Sequence, residues 1–170
     1  VACESGKLRA EGAYAARLAR CYASAVGAGA PTDVACLDKA RTIFEAAFAD
    51  ADREGTCALD QGTIENRINA FFADVTTSLP PSAGRNSCTA AKIGAVASFA
   101  HDALFADASY RESLNGATRT ARIDHARSRF VAVVNARDGS GRCSTSGDAA
   151  SLASIVDSLA SDGFTAFGPV

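Results

Sequence analysis

The chain has 170 residues and a net charge of −2; nearly half its residues are hydrophobic, yet it holds only nine Phe, three Tyr and no Trp. That length suits one compact domain or two small ones. Without a Lys/Arg block the sequence lacks the footprint of a nucleic-acid or anionic-membrane binder, and no stretch approaches the ~18 consecutive apolar residues of a membrane-spanning helix.

Much of the apolar content is alanine, so the core is thin and covalent reinforcement is expected. The chain contains no methionine and begins Val1-Ala2-Cys3. Both features are expected of a product of signal-peptide removal, secreted to the periplasm or outside the cell, where disulfides persist. Arg greatly outnumbers Lys, a composition typical of GC-rich bacterial genomes.

Helical periodicity dominates from the start. A first helix is predicted over about 3–26, with Leu8, Tyr14, Leu18, Cys21 and Ala25 on its apolar stripe. Gly27 to Pro31 stops it. Thr32-Asp33 caps a second helix over 33–54, whose stripe is Leu37, Ala40, Phe44, Ala47, Phe48 and Ala51 and which ends at Gly55. Asp60 caps a third over 62–78, with Ile64, Ile68, Phe71, Phe72 and Val75 inward. Leu79-Pro80-Pro81 then breaks the chain, and 81–87 reads as a linker.

The second half repeats the first. Cys88-x₃-Lys92-Ile93 echoes Cys3-x₃-Lys7-Leu8, Phe99 answers Tyr14, Phe130 answers Phe44, and Gly141-Arg142-Cys143 answers Gly55-Thr56-Cys57. Helices are expected over 88–113, 118–137 and 148–161, the last capped by Ser146 and carrying Leu152, Ile155, Val156 and Leu159. The tail 164–170 is not helical in pattern, and its two Phe are expected to fold back onto the body. The fold class expected is all-α: two tandem three-helix units, 1–80 and 88–163, each an antiparallel hairpin clasped by a disulfide plus a third helix.

Six cysteines allow 15 pairings. In an antiparallel helix pair the numbers of facing residues add to a constant, and Cys3 with Cys57 and Cys21 with Cys36 nearly satisfy this. Cys3 to Cys21 spans roughly 27 Å of helix and Cys36 to Cys57 roughly 31 Å, so the alternatives among these four join distant ends. Cys88 with Cys143 repeats the first clasp. The second clasp has no counterpart, because Ala106 stands where Cys21 was. Zinc and haem spacings are absent, so no metal or cofactor is expected.

These residues resemble an uncharacterised repeat of exported deltaproteobacterial proteins. Cys3, Lys7-Leu8, Arg20-Cys21, Ala35-Cys36-Leu37-Asp38-Lys39-Ala40, Phe48, Cys57 and Leu79-Pro80 carry the resemblance, and Cys143 to Ala150 matches the cap of its third helix. The first unit is two residues short at that cap. The resemblance implies a helical fold and export, and no activity.

For chemistry there are two histidines, each beside an aspartate: His101-Asp102 and Asp124-His125. In antiparallel register the residue facing His101 lies near 130, about five residues or roughly 7–8 Å from His125. That is too far for a shared metal, so both are expected in solvent. Glu45, Asp50, Asp52 and Glu54 read as a solvated face. The leading functional expectation is a non-enzymatic, secreted structural or interaction protein, a subunit of an extracellular or envelope assembly with a protein partner or self-assembly. One alternative is a binder of small apolar ligands in a void lined by Phe71, Phe72, Phe99, Phe105 and Phe130. Another is an enzyme using His101 or His125.

Overall fold

The computed structural model describes residues 1–80, 84–140 and 143–168. The protein is all-α, with α1 (Ala2–Ala28), α2 (Val34–Arg53), α3 (Gln61–Ser78), α4 (Ser87–Ser113), α5 (Gly116–Asp138) and α6 (Ala149–Thr165). No described helix is long and apolar enough to cross a membrane.

Caps set the boundaries. The side chains of Asp33, Asp60, Asn86 and Asn115 accept from backbone N–H groups in the first turns of α2, α3, α4 and α5 at 2.8–2.9 Å, each satisfying a donor the helix leaves orphaned. At its other end α1 stops on Gly29, held at φ 65°. A side chain there would also strike the backbone of Gly84 and Arg85 at 2.7 Å, so glycine answers both the left-handed turn and the close chain crossing.

Three sequence expectations are corrected here. Ser87 belongs to α4 rather than to the linker, while residues 81–83 of that linker lie outside the described residues. The cap of α6 is Asp148, not Ser146, and its carboxylate makes no cap bond because Lys92 and Thr145 occupy it. The last helix also runs on through Phe164 and Thr165. Buried Arg111 explains the extension: its guanidinium donates to the Phe164 carbonyl at 2.6 Å and to the Gly168 carbonyl at 3.0 Å, a cation seated on a helix C-terminus. Phe167, beyond it, is buried.

Each half contains the same hairpin. Disulfides join Cys3 to Cys57 and Cys21 to Cys36 across the first, and Cys88 to Cys143 across the second, with Cα separations of 6.0, 5.8 and 5.1 Å. Tyr14 stacks on Phe44 at 4.5 Å and its counterpart Phe99 on Phe130 at 5.4 Å.

The halves meet through like elements. Gly27 near the end of α1 approaches Ala90 near the start of α4, Gly12 approaches His101 and Leu104, and Glu4 pairs with Arg111. The two central helices are therefore antiparallel. Alanines line both, and a Cβ on Gly12 would sit 3.2 Å from that of Leu104, so small residues bring the backbones close. The third helices, α3 and α6, also pack on one another. One continuous hydrophobic cluster runs through both halves.

A carboxylic acid lies inside this packing. Glu11 on α1 is fully buried, with Oε1 2.8 Å from Arg67 Nε on α3. Burial pushes its pKa up to about 7, against the pull of Arg67 and helped by Asp162 on α6. The folded state then binds a proton that the unfolded chain releases near pH 4.5, so stability falls as pH rises from about 4.5 to 7. The loss is about 3 kcal/mol. Asp107, buried and also raised, acts in the same sense. Glu11→Gln is expected to remove Glu11's share. Urea unfolding at pH 5 and pH 7.5 should show a change smaller by about 2 kcal/mol in the variant, and equal changes in both proteins would refute it.

Candidate functional site

Two buried lysines, which hydrophobic patterning does not reveal, organise the ends of the hairpins. Lys7 and Lys92 are 2% and 0% exposed. Lys7 Nζ donates to the Leu59 carbonyl at 2.7 Å, pairs with Asp52 at 2.8 Å and lies 4.3 Å over the Phe48 ring. Lys92 Nζ donates to the Thr145 carbonyl at 2.9 Å and to both oxygens of Asp148, and pairs with Asp138. The offsets are the same in both halves: a lysine four residues after one cysteine, an aspartate five before its partner, a carbonyl two after it. Burial pushes the Asp138 carboxyl up, but hydrogen bonds from Lys92 and the Gly147 N–H outweigh it and hold the group below its usual range. Asp52 stays exposed on the acidic face while its pair with Lys7 ties α2 to α1. Leu59, whose carbonyl Lys7 grips, sits at φ 75°, a strained conformation for leucine that such anchoring sustains. These groups are already satisfied, so they fix the scaffold.

The surface between the hairpins is different. In the first half a cleft of about 150 Å³ opens between α1 and α2, rimmed by Arg17, Arg20 and Lys39 beside the Cys21–Cys36 bridge. The equivalent cleft between α4 and α5 is about 490 Å³, with Phe105 as an apolar wall and Arg122, His125 and Arg129 at its edge. The second cleft has no bridge. Ala106 and Arg122 stand at the positions of Cys21 and Cys36, and Arg122 instead donates to Ser109 Oγ at 3.1 Å.

A depression of about 340 Å³ joins the two clefts, lined by Arg17 and Arg20 from α1, His101 and Asp102 from α4, and Arg129 from α5. A branch of about 320 Å³ shares Asp102 and Arg129 and is walled by Phe99, Phe130 and Val133. The result is one groove built from both halves.

Its charge is one-sided. Arg129 is paired with Asp102. Arg17, Arg20, Lys39 and Arg122 have no carboxylate within 4.0 Å among the described residues, and of the other described cationic side chains only Arg85 and Arg137 share that condition. Most described cations outside the groove are paired, Arg85 and Arg137 excepted, whereas four of those in the groove are open. Sequence inspection missed it because the four residues are scattered over three helices. The signal lay in superposing the repeat, which aligns Arg17 and Arg20 with the edge residues Asp102 and Phe105.

Both histidines line the groove, on opposite sides of the Asp102–Arg129 pair. The His101 side chain is 41% exposed; its Nδ1 lies 3.1 Å from Asp102 Oδ1 and its ring stacks on Phe105. His125 is exposed. Among the described residues no three His, Cys, Asp or Glu side chains gather as a metal site. The five phenylalanines that the apolar-ligand alternative would use are dispersed: Phe71 and Phe72 pack edge to face in α3, Phe99 stacks on Phe130, and Phe105 is 41% exposed at the surface. The helical register of Phe105 turns it outward from α4, away from the core stripe. No family model matches this chain, and neither curated proteins nor solved structures yield a similar one.

Proposed function

We propose that this chain is an exported interaction protein that presents the groove between its hairpins to a macromolecular partner in an extracellular or envelope assembly. The observation that carries this reading is the open groove of unpaired cations and exposed apolar side chains, shared between both halves of a cross-linked scaffold. Three disulfides suit an oxidising compartment. The locked helices keep the surface preformed, which lowers the ordering cost of association. The groove is shallow, open and extends over several side-chain lengths, as suits a chain-like partner better than a small enclosed ligand.

Site-specific photo-crosslinking in the producing cell tests the reading. A photoreactive residue at position 105 should give one adduct of defined mass, whereas the same residue at exposed Ala70 on α3 should not. Absence of any adduct at position 105 in native material would overturn it.

A further inference from the structure

We infer that the occupant of this groove is an acidic, amphipathic peptide segment of another protein, an inference that rests on the interaction reading above. Arg17, Arg20, Lys39 and Arg122 are exposed and unmatched by carboxylates. Guanidinium forks recognise carboxylates through paired hydrogen bonds, a geometry that favours arginine over lysine. An anion from outside supplies the missing charge.

Charge alone would suit an acidic polysaccharide equally well. The apolar surface decides between them. Phe105 and Val133 are each 41% exposed, two of the few large hydrophobic side chains that reach solvent, and they stand on the two branches of the groove that meet at Asp102 and Arg129. A sulfated or carboxylated sugar chain offers Phe105 only the C–H face of a ring and presents hydroxyls and charges elsewhere. A helix with leucine-like residues on one face and glutamates beside them covers both and reaches the arginines, as helices lying in grooves commonly do. A second copy of this chain is a poorer fit. The longest exposed acidic face, on α2, interleaves its carboxylates with Arg41 and Arg53, which already pair with Glu45 and Asp50.

The test uses the whole oxidised protein and three probes. These are a labelled helical peptide with Leu at i, i+4 and i+7 flanked by Glu, its Gln-for-Glu counterpart, and heparin. Fluorescence anisotropy should show the Glu peptide binding at least tenfold tighter than the Gln peptide. The double variants Arg17→Glu/Arg20→Glu and Lys39→Glu/Arg122→Glu should each weaken it tenfold or more, and Phe105→Ser should weaken it severalfold. Arg85→Glu/Arg137→Glu, unpaired cations outside the groove, should leave it unchanged. Equal binding of both peptides overturns the inference, as does binding of heparin alone. Concentration-dependent self-association abolished by Arg17→Glu/Arg20→Glu also overturns it in favour of a second copy. A position-105 adduct that survives all the charge reversals leaves the interaction reading standing and removes this inference alone.

Discussion

Lys92→Met is expected to destabilise the protein by about 3–5 kcal/mol, lowering the melting temperature by roughly 10 °C. Methionine keeps most of the volume, so cavity formation contributes little. What is lost is the ammonium that holds Asp138 and Asp148, whose side chains are 14% and 10% exposed, and the bond to the Thr145 carbonyl. Two poorly hydrated carboxylates then face one another without a cation. Lys7→Met removes the matching group in the first hairpin, but its partner Asp52 is 50% exposed and rehydrates readily. Its expected cost is smaller, about 1.5–3 kcal/mol. Chemical denaturation of the two variants tests the ranking. A Lys92→Met cost within ~1 kcal/mol of zero would mean that water replaces the ammonium.

The same comparison has a pH signature. Asp138 titrates below its usual range in the folded protein, so its contribution is present above the unfolded carboxylate pKa and is lost as pH falls through the folded value. In Lys92→Met the hydrogen bond that lowers it is gone, and the acid limb of the stability curve should flatten. Glu11 works in the opposite direction, over the window from about 4.5 to 7.

The sequence makes the helices legible and the groove nearly illegible, for physical reasons. A helix advertises itself by the period of its apolar side chains, and α2, α3 and α6 show that stripe plainly in Phe44 and Phe48, Ile64 and Ile68, and Leu152 and Val156. The central pair is harder. Both α1 and α4 are buried on several faces by alanine and also carry Lys7, Glu11, Lys92, Asp107 and Arg111 inside. A hydrophobic pattern assigns such residues to solvent, because their burial depends on partners distant in the chain. Arg111 shows the consequence. Its carbonyl partners at Phe164 and Gly168 lie more than fifty residues away, and without them the tail reads as irregular. The groove needed three helices in register before its charges became neighbours.

Removing the Cys3–Cys57 bridge by double alanine substitution is expected to cost about 4 kcal/mol, and removing Cys21–Cys36 about 3 kcal/mol, rising with the logarithm of the lengths of the loops they close in the unfolded chain. Those loops have separations of 54 and 15 residues. The outer bridge has a further relation that chain entropy ignores. Cys3 and Lys7 are one helical turn apart on α1, and Cys57 lies between Asp52 and Leu59, the two groups Lys7 grips. Bridge and lysine therefore restrain the same segment. With the bridge intact, loss of the lysine leaves the Leu59 carbonyl held in place without its donor. Without the bridge that segment frays, and the carbonyl reaches water. The triple variant Cys3→Ala/Cys57→Ala/Lys7→Met should accordingly lose less than the sum of its parts, by about 1 kcal/mol, whereas adding Lys7→Met to the distant Cys21/Cys36 pair should be additive. Urea unfolding of the set under non-reducing conditions measures both couplings. Additivity at the outer bridge would show that lysine and disulfide hold the chain independently.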